Sequence, residues 1–374
     1  MIEEQPAVVE ENLLNTDPEE SAKLAGLYYV SDEEPGFQRK RRGRGFTYID
    51  PGGRCVNDPK LRARFEALVI PPAWTDVWIC ADPNGHIQVT GRDDQGRKQY
   101  IYHPRWGEIR NLTKFHRLIP FGEALPAIRA NVVEDLRKHS LSRQKVVALV
   151  IRLLEETLIR IGNREYARNN ETYGLTTLRD DHIQVSGSKI IFVFKGKSGK
   201  QHEVDLKSKR LAELVKQCQE LPGQELFQYL DEAGAYHPIN SQDVNDYLRE
   251  ITGQDFTAKD FRTWGGTVLA AAELYQQGPV ESETANKKVI VQAVKAVAEA
   301  LGNTPAICRD YYIHPAIIDA YLNRSLFTAM EEAAQEVTSN EATYDLSTEE
   351  KAVMILSRQA LAELADLVRG KNNH

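Results

Sequence analysis

The chain has 374 residues, 41% hydrophobic and 27% charged, an ordinary globular composition with room for two or three domains. No apolar run approaches the ~20 residues of a membrane helix, and the acidic start MIEEQPAVVEENLL is not a secretory signal. Four scattered cysteines, Cys55, Cys80, Cys218 and Cys308, form no CxxC, which argues against a disulfide scaffold or a clustered zinc site and favours a cytoplasmic setting.

Residues 1–35 read as an acidic leader, with ten Asp/Glu against one Lys. A short helix is expected near NTDPEESAKLAGL, where Asp17, Pro18 and Glu20 suit a capped start. Residues 36–118 reverse the charge, with sixteen Lys/Arg against eight Asp/Glu. The net charge of −7 therefore hides a local basic surplus, which suits a nucleic-acid surface or a plain solvated face. The basic run in GFQRKRRGRGFTYIDPGG opens a strand-like FTYI, and DPGG reads as a turn. DVWICAD, GHIQVTGRD and RKQYIYH suit antiparallel strands joined by turns at PNG and DDQG. A β-rich domain is expected over 36–115.

The texture then changes. NVVEDLRKHSLSRQKVVALVIRLLEETLIRIGN has apolar residues at helical spacing. TTLRDDHIQVS, SKIIFVFKG and KQHEVDLK are strand candidates, and SKRLAELVKQCQEL is a helix candidate. QDVNDYLREI, residues 257–276, KKVIVQAVKAVAEALG and TEEKAVMILSRQALAELADLVRG also read as helices. The fold class expected is α+β: the β-rich domain, a mainly α domain with a small antiparallel sheet over 116–330, and a helical extension over 331–374.

Several side chains invite a chemical reading beside a bland one. Tyr311 and Tyr312 stand together in NTPAICRDYYIHP, either as packing or as a nucleophile. A phenol, with an ordinary pKa of about 10, would need cations brought to it. Arg160 ends an apolar helical face, where an arginine is commonly surface charge. Tyr166, six residues on, fits a core cap or a phosphate contact. Lys197 lies in GKSG between two β-like runs, which fits a hairpin tip. The stretch lacks the full phosphate-loop pattern. Lys259 and Arg262 share one face at the start of a helical run and suit an ion-pair network or a phosphate surface. Asn303 is a neutral donor or a helix cap before Pro305. Lys98, Gln99, Tyr100 and Tyr102 share a strand that fits a half-buried β face or a DNA-contacting one. His182, His202, His237 and His314 show no metal-ligand spacing, so no metal or other cofactor is expected.

The ordered set Arg160, Lys197, Arg262, Asn303 and Tyr312 resembles the active site of type IB DNA topoisomerases, above all the compact bacterial and poxvirus-like branch. LIRIGNREYARNNETYGLTTL resembles the segment with the first catalytic arginine, FKGKSGKQHE the hairpin with the catalytic lysine, and KDFRTWG the box with the second arginine. NTPAICRDYYIHP resembles the nucleophile segment and selects Tyr312 over Tyr311. Four separated boxes in order, over residues 20–330, make the resemblance specific. It implies a fold related to tyrosine recombinases and a monomer that closes on duplex DNA as a clamp. It also implies strand cleavage through a 3′-phosphotyrosyl link and religation without ATP. RKQYIYHPRW resembles the strand that touches the DNA groove, and Lys259 and Tyr166 become auxiliary DNA contacts. The poxvirus enzymes carry histidine where this chain has Asn303. A tyrosine site-specific recombinase is the alternative enzyme, although its usual H-x-x-R box is replaced here by Lys259-Asp-Phe-Arg262. A noncatalytic DNA-binding protein is the alternative outside enzymes.

Overall fold

A computed structural model describes residues 17–231, 233–336 and 344–372. The first 16 residues of the acidic leader, and residues 337–343 and 373–374 of the C-terminal extension, lie outside the described residues. The chain divides into two compact units, Met1–Arg117 and Leu118–His374.

The first unit opens with α1 (Pro18–Leu24), whose cap Asp17 accepts from the Glu19 and Glu20 amides. Its sheet comprises β1 (Phe37–Arg42), β2 (Gly45–Ile49), β3 (Thr75–Ile79), β4 (Ile87–Arg92) and β5 (Lys98–Tyr102), antiparallel in the order β2-β1-β3-β4-β5. Helix α2 (Pro59–Ala67) follows β2, and α3 (Pro104–His116) ends the unit. The period-2 pattern turns Tyr48, Val77, Ile79 and Val89 onto Val56 and onto Phe65 of α2, forming the core. One expectation is corrected. The basic run does not merely lead into a strand: it is β1 itself, paired on both sides. Arg39 points inward, donates to the Ile70, Pro71 and Trp74 carbonyls, and stacks on Phe46. It therefore belongs to the interior and not to a basic face.

In the second unit, the helical stretch expected over 131–163 is two helices, α4 (Leu118–Asp135) and α5 (Arg143–Thr157). The break falls where Ser142 caps α5 through its hydroxyl. Next come α6 (Arg164–Asn170) and the sheet β6 (Ile183–Ser186), β7 (Lys189–Lys195) and β8 (Gln201–Lys207), paired in that order. Only the end of TTLRDDHIQVS is a strand; Leu175–Thr177 and Asp180–His182 form 3-10 turns. The reason is local, because the Thr176 amide and hydroxyl are both spent on the Ile161 carbonyl. Helix α7 (Lys209–Gln219), the small hairpin β9 (Gln228–Leu230) with β10 (Tyr236–Pro238), α8 (Ser241–Thr252), α9 (Ala258–Gln277) and α10 (Glu283–Ala300) lead to three short helices. These are α11 (Pro305–Tyr311), α12 (Pro315–Leu322) and α13 (Ser325–Glu336), followed by α14 (Thr348–Asn372). Elements α6, β9, β10, α11 and α12 carry too few residues for periodicity to reveal them, and sequence reasoning also missed the 12-residue α13. Mixed helices and small antiparallel sheets bear out the α+β class. No helix among the described residues is long and apolar enough to cross a membrane.

Helix α14 packs against α4, α9, α12 and α13. A polar knot holds it there. Glu350, buried, accepts from both Arg129 Nη atoms of α4 and from Trp264 Nε1 of α9. Arg129 also pairs with Glu155 of α5. Removing Glu350 would leave a poorly hydrated guanidinium and an unpaired indole N–H. Glu350→Ala should destabilise the second unit by about 1–3 kcal/mol, the scale for leaving buried donors unsatisfied while Arg129 keeps Glu155. Urea unfolding of the full chain measures this; a loss below about 1 kcal/mol would show the knot to be structurally idle.

Candidate active site

The site is built where α5 and α10 end. Helix α5 stops at Leu158, which adopts the left-handed conformation (φ 53°) and turns the chain into an extended segment. That segment carries Arg160. It is fixed by Leu175, whose amide donates to the Arg160 carbonyl, and by Thr176, which donates to the Ile161 carbonyl. Gly174 must lack a side chain, because a Cβ there would run into the Arg160 carbonyl. The same strap reaches the hairpin, since the Tyr173 amide donates to the Lys195 carbonyl at 2.8 Å. Lys197 opens the 3-10 turn Lys197–Gly199 between β7 and β8 and is exposed. The expected hairpin tip is therefore present.

Arg262 lies one turn into α9 and is 4% exposed. Its Nη1 donates to the Leu158 carbonyl, and its Nη2 donates to the Leu301 carbonyl at 2.8 Å. These carbonyls belong to the C-caps of α5 and α10. Burial, and next the neighbouring Arg160 charge, push the Arg262 pKa down to about 10. The groups that favour its charge are Tyr312 and Cys308, with no carboxylate among them. Lys259, three residues earlier on the helix, is exposed.

Asn303 stands two residues beyond Leu301. Its Oδ1 accepts from Arg160 Nη2 at 2.5 Å. Thr304, and not Asn303, caps α11, so the capping alternative is set aside. A guanidinium only donates, so the amide oxygen must face it and the NH2 must point away. That NH2 is buried and has no partner, and Arg262 Nε is in the same condition. Buried donors without acceptors are uncommon in folded proteins. Two of them, Arg262 Nε and Asn303 Nδ2, leave donor capacity here that the protein itself does not fill.

The two tyrosines part company here. Tyr311 is 50% exposed. Tyr312, at the C-cap of α11, lies with its ring under the Arg262 guanidinium, 5.4 Å from carbon to centroid. Its carbonyl accepts from Thr267 Oγ1, which also accepts the His314 amide. Gly266 permits this approach, because a Cβ there would lie 2.8 Å from the Tyr312 carbonyl oxygen. Gly265 does the same for Leu158.

The remaining candidates are spread more widely. Tyr166 is exposed on α6. Lys98, Gln99, Tyr100 and Tyr102 belong to the first unit. Lys98 pairs with Asp32 at 2.6 Å, and Gln99 donates to Asp93. Tyr100 and Tyr102 stack with ring centroids 5.8 Å apart and stay exposed. Sequence reasoning missed the glycines 174, 196, 265, 266 and 302 as makers of the site. It also missed His202, which lines the same small cavity as Arg160, Lys197 and Arg262.

Comparison with known proteins identifies the family. The family model for the catalytic core of eukaryotic DNA topoisomerase I matches residues 103–339, and the model for the N-terminal domain of bacterial DNA topoisomerase IB matches residues 45–93. The chain is similar to DNA topoisomerase 1B of Acanthamoeba polyphaga mimivirus, with 33% identity over 78% of this chain and 89% of that one. It is 28% identical to DNA topoisomerase 1B of vaccinia virus (strain Copenhagen), over 61% of this chain and 70% of that one. The XerH site-specific recombinase bound to difH substrate aligns at 17% identity over 60% of this chain and 56% of that one, with a TM-score of 0.34. The protein is an enzyme of the DNA topoisomerase class. Within that class the chain belongs to the type IB family, whose members act on DNA.

The site depends on α9 approaching Tyr312 closely. Gly266→Ala should push the tyrosine away and slow single-turnover cleavage by about 10–100-fold, the scale of an ångström-level misplacement. DNA affinity, read by fluorescence anisotropy, should change little. Wild-type cleavage in this variant would show that the close approach is dispensable.

Proposed function

We propose that Tyr312 is the nucleophile of this type IB topoisomerase and that Arg160, Lys197, Arg262 and Asn303 form its catalytic set. The enzyme relaxes supercoiled duplex DNA by cutting one strand, holding the 3′ end on tyrosine and religating without ATP. In the cleavage step the phenol gives up its proton to water and its oxygen bonds to phosphorus. The P–O5′ bond breaks, and Lys197 supplies the proton that the 5′ oxygen takes. Arg160, Arg262 and Asn303 hold the nonbridging oxygens, where charge must be stabilised in the transition state.

The observation that carries the reading is the pair of buried, partnerless donors, Arg262 Nε and Asn303 Nδ2, in one cluster with Tyr312. A phosphodiester would supply the acceptors they lack. In the first unit, Tyr100 and Tyr102 offer an exposed stacked pair for a DNA groove, and Lys98 and Gln99 exchange Asp32 and Asp93 for DNA. Tyr166 and Lys259 contact the backbone near the break. The enzyme works as a monomer in the cytoplasm, on nucleoid DNA, and closes around the duplex.

The storage of bond energy in the phosphotyrosine and the all-side-chain acid–base set lead to one expectation. Relaxation of positive and negative supercoils should persist in EDTA without ATP. Strict loss in EDTA, with DNA binding unchanged, would contradict it.

The side-chain roles are tested separately. Tyr312→Phe should abolish the covalent adduct and leave noncovalent DNA binding near wild type. Tyr311→Phe should retain the adduct. Lys197→Ala should slow cleavage about 10²–10⁴-fold, and DNA with a sulfur leaving group at the 5′ position should restore most of that loss. Peptide mapping of the adduct decides the nucleophile; attachment to Tyr311 would overturn the assignment. Failure of the sulfur substrate to rescue Lys197→Ala would remove the lysine as the acid and leave the nucleophile standing.

A further inference from the structure

His202 belongs to β8, where it pairs with Phe194 of β7, and its ring lies flat on the Phe194 ring (centroids 5.1 Å apart, 7° between planes). Two glycines close around it. A Cβ on Gly196 would stand 2.5 Å from both Cδ2 and Nε2 of the imidazole, and a Cβ on Gly302 would overlap Cε1. Gly196 immediately precedes Lys197, and Gly302 immediately precedes Asn303. The ring therefore fills the gap between the backbones that carry two members of the proposed catalytic set.

The asparagine loop is also held by Arg262 through the Leu301 carbonyl and by Arg160 through Asn303 Oδ1. The turn beyond Gly196 is closed by its own bonds, Gly196 N to the Lys200 carbonyl and Gly199 N to the Gly196 carbonyl. Gly302, in the left-handed conformation, and Asn303 bond back to the end of α10. The imidazole touches both the hairpin at Gly196 and the asparagine loop at Gly302 and so spaces one from the other. Burial, then Arg160, Lys200 and Arg262, lower its pKa to about 4, so it is uncharged at neutral pH and adds no repulsion to the cations around it.

We propose that His202 is a positioning residue whose ring, wedged between Gly196 and Gly302, sets the distance between Lys197 and Asn303 so that both reach one phosphate. This rests on the assignment of Lys197 as the acid and Asn303 as a phosphate donor. The inference follows from contact and shape, and it requires no proton transfer by the imidazole.

The test is a cycle of His202→Ala, Gly196→Ala and the double variant in the full chain. Single-turnover cleavage is measured on DNA with a 5′ oxygen or a 5′ sulfur leaving group, and DNA affinity by anisotropy. Each single variant should cleave oxygen DNA about 10–100-fold more slowly, with affinity within a factor of a few. The double variant should be no slower than His202→Ala, because no ring remains for the new methyl group to displace. The defect should shrink on sulfur DNA, as it should for Lys197→Ala. Multiplied losses in the double variant would overturn the wedge. So would an undiminished defect on sulfur DNA that does rescue Lys197→Ala. If Lys197→Ala itself is not rescued, the acid assignment fails, and the cycle between Gly196 and His202 still decides the packing claim. Should His202→Ala not fold, His202→Ser carries the same cycle, since serine has no atom at the Cδ2 or Nε2 position and clears the space beside Gly196.

Discussion

A buried arginine organises the catalytic unit. Arg262 is withdrawn from water, which is costly for a cation unless acceptors replace its hydration. The acceptors are the carbonyls of Leu158 and Leu301, at the C-terminal ends of α5 and α10. Helix C-termini carry partial negative charge, so they suit a guanidinium without neutralising it. Each carbonyl stands two residues before another member of the site, Arg160 in one case and Asn303 in the other. Holding Arg262 thus places both segments. Because no carboxylate among the described residues pairs with Arg262, its positive charge stays available to an anion from outside.

The same helix face completes the arrangement. Residues 262, 265 and 266 are spaced i, i+3 and i+4, which brings them to one side of α9. Arg262 bonds the Leu158 carbonyl, Gly265 admits the Leu158 side chain, and Gly266 admits the Tyr312 backbone. Glycine inside a helix costs about 1 kcal/mol relative to alanine. Two in succession at this point trade helix stability for the close approach of the Tyr312 segment. The indole of Trp264 compensates on the far side, where it donates to Glu350 and packs on Phe121. The scaffold of α4, α9 and α14 therefore reaches the site through α9.

Much of this was legible in the residues. The antiparallel strands of the first unit follow from period-2 alternation broken by turn residues, and the hairpin carrying Lys197 from two apolar β runs flanking GKSG. The catalytic set was legible only as an ordered series of boxes resembling a known family. Nothing in spacing alone says that residues 160 and 303 meet at 2.5 Å. What stayed hidden had a physical reason in each case. Arg39 looks like surface charge until three carbonyls enclose it. The break at 136–142 is hidden because the apolar residues on either side keep a helical spacing. His202 lacks a ligand pattern because its contacts are with backbone that is distant in sequence. A glycine that exists to admit a neighbour cannot be told from one that exists to turn.

Asn303 shows how one position can change residue type and keep its polarity. Arg160 can only donate, so whatever faces it must accept. The amide does so through Oδ1 and thereby leaves a donor, Nδ2, buried and unpartnered. A neutral imidazole, the group that the resemblance puts here in the poxvirus enzymes, can accept through one ring nitrogen and donate through the other. An imidazolium cannot, because both its nitrogens donate and it would confront Arg160 with a like charge. The shared requirement is an uncharged group with an acceptor on one side and a donor on the other. A carboxylate at this position would accept from Arg160 but repel the phosphate, and a lysine would do the reverse. The geometry around Arg160 therefore selects for a neutral amide or imidazole, and titration at residue 303 is no part of the chemistry this chain can perform.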